Sequence, residues 1–120
     1  MNGFLLVMLG GAAGSAARYG LGRVIAAWAG TGFPWGTLAV NLIGGLAMGV
    51  LAGLLPRWTG AEAARLLLSI GFLGGFTTFS SFALETVALI DRGAAPLAIV
   101  YTTLSVLGAV AGVYAGRALA

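Results

Sequence analysis

Four long apolar stretches, separated by short polar or glycine-rich segments, set the pattern of hydrophobic and polar positions along the chain. A helix that crosses the bilayer core needs about 20 mostly apolar residues, and each of the four stretches has that length. The pattern therefore predicts an all-α membrane protein with four transmembrane helices. They form a single domain over residues 1–120, with spans at roughly 3–22, 37–55, 66–90 and 97–116.

The composition agrees with lipid as the environment of most of the surface. Of the 120 residues, 60% are hydrophobic and 8% are charged. A soluble domain of this size leaves too much surface exposed to hide so many apolar side chains. The six basic residues, all arginine, are scattered singly, so no nucleic-acid partner is expected. The sequence has no cysteine or histidine, which excludes disulfides, imidazole catalysis and most transition-metal sites.

The ends of the predicted spans carry residues that suit the membrane–water interface. Trp28, Trp35 and Trp58 fall near span ends, where amphipathic rings favour the headgroup layer. Arg18 lies within about one turn of the end of the first span, so we expect its guanidinium to reach the interface by snorkelling. The alternative, a signal peptide at the start of the chain, is disfavoured because no basic region precedes the apolar stretch.

The arginines are equally divided between the two sides of the predicted topology. One side holds Arg57, Arg65 and Arg117, and the other holds Arg18, Arg23 and Arg92. The positive-inside rule then favours neither orientation, and two interpretations stay open. One is a weak bias that the insertion machinery resolves. The other is dual topology, in which copies insert both ways and pair as an antiparallel dimer.

Glycine recurs at helical spacing in three of the four spans. The chain has 21 glycines, and the second span carries Asn41, Gly45, Gly49 and Gly53 at every fourth position. Small residues at this spacing let helix backbones approach closely in lipid. They predict tight packing, either within one bundle or between two. A pathway would form most easily where two bundles meet.

The middle of the third span is poor material for a continuous helix. Residues 74–82 contain two glycines, two threonines and two serines, which have low helix propensity. Because Thr78 falls near the middle of the span, the sequence predicts a third helix broken near the bilayer midplane. Broken helices at that depth hold ions in transporters and channels. The alternative is a continuous helix whose hydroxyls bond to the carbonyl four residues back.

An aromatic stripe of Phe76, Phe79 and Phe82 crosses the same segment. Such a stripe usually serves packing or lipid contact, but here threonines and serines are interleaved with it. Aromatic rings carry a positive edge and hydroxyls donate hydrogen bonds, so the two together can solvate a small anion without holding it too tightly. Glu85 is the only carboxylate within a span and a functional candidate, although its position near the span end also suits a vestibule.

Three motifs in these segments resemble the Fluc (CrcB) family of fluoride channels. They are GGAAGSAARY at residues 10–19, GTLAVNLIG at 36–44 and GFLGGFTTFS at 71–80. The length and the four-span layout agree as well, so the resemblance covers essentially the whole chain. The third motif is the most specific, and the fourth span is the least distinctive.

The resemblance implies an antiparallel dual-topology homodimer, multi-pass in the bacterial plasma or inner membrane. Two pores at its interfaces would pass fluoride passively out of the cytoplasm and so relieve fluoride toxicity. It also implies a fluoride pathway whose side chains provide ring edges, hydrogen-bond donors and a polar lining. These residues are Asn41, Phe79, Phe82, Ser81, Tyr101 and Ser105.

The resemblance further implies a structural sodium ion at the dimer centre, with no organic cofactor. By analogy, the backbone carbonyls of Gly74 and Thr77 would hold this ion. A two-fold axis in the membrane plane would bring a midplane break against its own copy, so carbonyls of both subunits could share one cation. That cation would lower the electrostatic cost of nearby anions.

Other function classes fit the sequence less well. An enzyme lacks an ordinary base to activate its serines, since histidine, lysine and cysteine are missing. A small multidrug-resistance-type, proton-coupled exporter needs a carboxylate deep in a span, and the first span has none. A structural subunit of a larger complex would explain the glycine ridges but not the hydroxyl-rich segment.

Overall fold

The computed structural model describes residues 2–120, and in that range all the regular secondary structure is helical. The α-helices are α1 (Gly3–Ala29), α2 (Trp35–Leu54), α3 (Ala61–Ala64), α4 (Gly74–Phe76), α5 (Phe79–Asp91) and α6 (Ala95–Leu119). A 3-10 turn over Leu55–Arg57 follows α2, and a π-helical segment over Arg65–Leu73 joins α3 to α4.

Four helical rods in the described range are long and apolar enough to cross a membrane. They cover Gly3–Ala29, Trp35–Arg57, Ala61–Asp91 and Ala95–Leu119. At about 1.5 Å per residue, even the shortest, with 23 residues, exceeds the hydrocarbon core of about 30 Å. The chain is thus a multi-pass membrane protein, as the hydrophobic pattern predicted. The exact extent of each span in the bilayer stays a prediction.

The first helix continues well past the span predicted for it. It ends at Ala29, 11 residues after Arg18, where Gly30 takes a positive φ of 77°. Arg18 is therefore not near the end of the helix, and its reach to the interface stays a prediction. Its Nε donates a hydrogen bond to the Gly75 carbonyl at 3.1 Å, so the guanidinium turns toward the third rod.

The helices pack mainly as two parallel pairs, α1 against the third rod and α2 against α6. Glycine makes both approaches possible. A Cβ added to Gly14 would lie 2.0 Å from the Phe72 carbonyl oxygen, and one added to Gly49 would lie 2.2 Å from the Val113 carbonyl oxygen. No side chain fits such spaces, so these glycines serve packing within one chain, one of the two roles that their spacing predicted.

Two residues in extended conformation, Thr77 and Thr78, separate α4 from α5. Their φ and ψ are −82° and 156°, and −149° and 121°. Thr77 Oγ1 donates to the Leu73 carbonyl, four residues back, at 2.9 Å. A hydroxyl-to-carbonyl bond of this kind was expected if the third helix were continuous, yet α4 ends at Phe76. Thr78 then begins α5 as its N-cap, because its Oγ1 accepts from the Ser81 N–H at 3.2 Å.

Candidate functional site

The Thr77–Thr78 interruption is held from the side by α2. The Asn41 Nδ2 donates to the Thr78 carbonyl at 3.1 Å, and the Asn41 Oδ1 accepts from the Thr78 N–H at 2.9 Å. A planar amide offers one donor side and one acceptor side, so a single side chain satisfies both backbone groups of Thr78. This explains how extended backbone is accommodated inside a membrane domain, where unpaired backbone groups are costly.

The carbonyls around the interruption fall into two groups. Those of Leu73 and Gly75 accept hydrogen bonds, from Thr77 and from Arg18. Those of Gly74, Phe76 and Thr77 receive no hydrogen bond from any donor within residues 2–120. Free carbonyl oxygens at an unwound segment are the groups that coordinate monovalent cations in membrane proteins. The two carbonyls assigned by the resemblance are thus available as ligands.

An open groove of about 420 Å³ runs beside the interruption, between α2, α5 and α6. Its wall is largely apolar. The groove brings together five of the residues selected from the sequence, namely Asn41, Thr77, Phe79, Phe82 and Ser105. Gly74 lies at the start of α4 and is exposed. The groove therefore gathers aromatic edges, a hydroxyl and an amide along one face of the chain.

A second cavity, of about 280 Å³, lies on the other side of Thr78. Ser81 lines this cavity and not the groove, together with Arg18, Thr37 and Glu85. The Thr37 hydroxyl donates to Glu85 Oε1 at 2.6 Å. Thr78 lines both spaces, so the two cavities share the interruption. Of the predicted pathway residues, Tyr101 lines neither cavity.

The aromatic side chains form a continuous line that leads into the chain interior. The ring centroids of Phe79 and Phe82 are 5.6 Å apart, and those of Phe82 and Tyr101 are 5.2 Å apart. Phe79 is 80% exposed at the outer end, whereas Tyr101 is completely buried. The line passes from the surface of the single chain to its core.

Two buried hydroxyls in α6 have no hydrogen-bond partner among the residues that the structure describes. They belong to Tyr101 and Ser105, which lie one helical turn apart. A buried polar group without a partner costs about 1–3 kcal/mol, so its retention needs a reason. Both hydroxyls are predicted pathway residues, and a permeating ion or water would satisfy them.

Two residues at this site were missed as site candidates in the sequence. Thr37 bonds Glu85, and Arg18 bonds the Gly75 carbonyl. A signal existed for each. Thr37 stands one helical turn before Asn41, which makes a polar pair on one face of α2. Arg18 is a charged residue inside an apolar helix, and such residues usually pair within the protein.

Comparison with known proteins settles the family. The family described as "CrcB-like protein, Camphor Resistance (CrcB)" matches residues 5–117. The chain belongs to the CrcB family. This confirms the resemblance that the three motifs carry, and the match includes the interruption, both cavities and all but the outermost residues of the four spanning rods.

Individual CrcB-family relatives are similar over their whole length. A Phenylobacterium zucineum protein is 51% identical over 122 residues, which cover 100% of this chain and 96% of the relative. A Sphingopyxis alaskensis protein is 50% identical over 120 residues, with 99% and 95% covered. One from Novosphingobium aromaticivorans is 47% identical over 121 residues, with 99% and 96% covered. Each bears the name "Fluoride-specific ion channel FluC".

Proposed function

We propose that this CrcB-family chain is a fluoride-selective ion channel, which exports fluoride passively from the cytoplasm and so relieves fluoride toxicity. The names of relatives about half identical to it support this proposal. The observation that carries it is the groove, where Asn41, Phe79, Phe82 and Ser105 line one surface. Among the described residues that line it, none is basic. An anion in the groove is therefore solvated without being trapped.

The proposed conduction route uses weak, repeated interactions. The positive ring edges of Phe79 and Phe82 face a dehydrated anion, while the Asn41 amide and the Ser81, Tyr101 and Ser105 hydroxyls donate hydrogen bonds to it. Conduction requires binding strong enough for entry and weak enough for exit. Fluoride is small and a strong hydrogen-bond acceptor, so it gains more from such donors than a larger halide does.

We further propose that the working unit is an antiparallel homodimer with dual topology in the bacterial inner membrane. The groove is open on a single chain, and its Phe79 is 80% exposed. A second copy would close the groove into a pore, and two-fold symmetry would create two equivalent pores. The balanced arginines support insertion in both orientations, because they supply no charge bias.

A structural sodium ion at the dimer centre completes the proposal. The free carbonyls of Gly74 and Thr77 fit this role, because carbonyl oxygens at an unwound helix suit such a cation. Each chain offers two oxygens, so the ion needs both copies for a full shell. When bound, it would supply positive charge that stabilises anions nearby, while the chain's own residues bind and orient the fluoride.

Growth in fluoride tests the function in cells. A bacterium without its own fluoride exporter should grow in millimolar fluoride when it expresses this chain. The empty vector should not support that growth. Equal growth inhibition with and without the chain, at verified membrane expression, would refute the proposed export.

Dual topology is tested by adding one or two lysines at either end of the chain. The added lysines should bias the orientation of the tagged termini, and a wild type found in a single orientation would exclude dual topology.

A further inference from the structure

We propose that Asn41 is a positioning residue that orients the Thr77 carbonyl toward the cation. This inference rests on the proposed function, because it assumes the sodium ion at Gly74 and Thr77. It assigns Asn41 a task besides donating to fluoride. The task depends on the side-chain oxygen of Asn41, whereas the donation depends on its nitrogen.

The argument begins with the peptide unit between Thr77 and Thr78. The carbonyl of Thr77 and the N–H of Thr78 belong to the same planar trans peptide, so they point in opposite directions. Asn41 Oδ1 accepts from that N–H at 2.9 Å. The hydrogen bond therefore directs the Thr77 carbonyl away from α2, and rotation of the peptide would break the bond.

A second bond holds the peptide plane that follows. Asn41 Nδ2 donates to the Thr78 carbonyl at 3.1 Å, which fixes the next peptide plane as well. On the other side, Arg18 engages the Gly75 carbonyl and Thr77 bonds the Leu73 carbonyl. With the Leu73, Gly75 and Thr78 carbonyls engaged, those of Gly74 and Thr77 remain free, as does that of Phe76 between them.

Support of this kind is known to control ion affinity. Groups that orient metal ligands from outside the coordination shell typically change affinity about 10- to 100-fold when they are removed. The amide of Asn41 would orient the Thr77 carbonyl in this way, from outside the coordination shell of the ion. Loss of the Asn41 amide should leave the extended Thr77–Thr78 segment mobile. Sodium binding would then have to order the Thr77 carbonyl, and this cost would weaken the affinity for sodium.

The test is thermal unfolding of the purified full-length protein across a sodium titration, with ionic strength held constant by N-methylglucamine. A bound ligand stabilises the folded state in proportion to the logarithm of one plus its concentration over its Kd. The stabilisation therefore begins to rise near the Kd, and the sodium concentration of that onset is here called the sodium midpoint. A substitution that only weakens the fold lowers the whole curve without moving this sodium midpoint. A substitution that disorders a ligand moves the midpoint itself.

Two variants separate the roles of the Asn41 oxygen and nitrogen. Asn41→Leu has a similar shape but no acceptor, so its sodium midpoint should rise by about tenfold or more. Asn41→Asp keeps an oxygen for the Thr78 N–H, so its midpoint should stay at or below the wild-type value. Its fluoride flux should nevertheless fall, because it loses the donor and adds negative charge. Thr86→Val, which removes a hydroxyl that bonds the Phe82 carbonyl at 2.8 Å, is the matched control and should leave the midpoint unchanged.

Three results would overturn the positioning role of Asn41. A Leu variant with an unshifted midpoint, or an Asp variant shifted as far as the Leu variant, would overturn the positioning role. A wild type that sodium does not stabilise would remove the cation site and the inference with it. Fluoride flux of the same wild-type preparation, measured separately, would show whether the channel proposal survives that result.

Discussion

The Thr37 hydroxyl donates a hydrogen bond of 2.6 Å to Glu85 Oε1, and this bond joins α2 to α5. Both side chains line the cavity that also contains Arg18 and Ser81. If this cavity belongs to the proposed fluoride route, an unrestrained Glu85 carboxylate would repel the anion more strongly than one held at the wall. The bond to Thr37 holds the Glu85 carboxylate against α2.

Removing this hydroxyl should therefore slow the flux of fluoride. Thr37→Val keeps the shape of the side chain but frees the carboxylate, and we expect a fall of about tenfold, equivalent to about 1.4 kcal/mol in the barrier. Fluoride efflux from liposomes measures it. Adding Glu85→Gln to Thr37→Val should restore most of the flux because the charge is gone. A double variant as slow as Thr37→Val alone would contradict this role of the pair.

The two phenylalanines of the groove should be needed for their ring edges rather than for their bulk. Phe79→Ile and Phe82→Ile preserve an apolar side chain but lose the positive edge. Each should lower fluoride flux by at least about tenfold with little change in thermal stability. Phe4→Ile, at a residue 82% exposed on α1, is the control. Flux that survives both groove substitutions would undercut the assigned pathway.

Removing the unpartnered hydroxyls of Tyr101 and Ser105 in α6 should lower fluoride flux without lowering thermal stability. Tyr101→Phe and Ser105→Ala each delete a buried hydroxyl without a partner in the described chain. Since such a group costs about 1–3 kcal/mol, its removal should leave thermal stability unchanged or raised. Fluoride flux should fall, because a donor to the ion is lost. Lower stability with unchanged flux would mean that the hydroxyls serve the fold and not the pathway.

The glycine contact between α2 and α6 should tolerate no side chain. In Gly49→Ala, the new Cβ would meet the Val113 carbonyl oxygen at 2.2 Å. Overpacking of this kind costs about 1–3 kcal/mol, and a lower unfolding temperature in detergent would report it. Gly20→Ala, where nothing lies within 4 Å of the added Cβ in the single chain, should be neutral. Equal effects at the two positions would refute the packing account.

Much of this fold could be predicted from the sequence, because bilayer thickness dictates the length of apolar stretches. The low helix propensity of residues 74–82 predicted an interruption there, and Thr77 and Thr78 in that segment are extended. That the third helix is broken at the bilayer midplane stays a prediction. The first span was predicted to end at about residue 22. The helix continues to Ala29, because glycine is frequent in membrane helices, and it ends where Gly30 takes a positive φ.

The site was harder to predict than the fold, since its bonds join positions far apart in the sequence. The family resemblance implied that Asn41 donates a hydrogen bond to the permeating ion, which stays a prediction. That both ends of its amide bond Thr78 depends on the relative placement of α2 and the interruption. The hydrogen bond from Arg18 to the Gly75 carbonyl could not be predicted for the same reason. The sequence indicates that a charged side chain within a span needs a partner, but it does not identify that partner.

Fluoride flux from liposomes that contain only the purified protein tests the central proposal most directly. The liposomes would be loaded with potassium salts, and a potassium ionophore would let K⁺ leave with the anion so that charge stays balanced. A fluoride electrode and a chloride electrode would follow efflux of each anion in parallel, with protein-free liposomes as the baseline. The groove offers ring edges and hydrogen-bond donors suited to a small anion, so fluoride should leave at least about 100-fold faster than chloride, equivalent to about 2.7 kcal/mol of discrimination. Fluoride efflux at the protein-free rate, or chloride efflux equal to that of fluoride, would contradict the account.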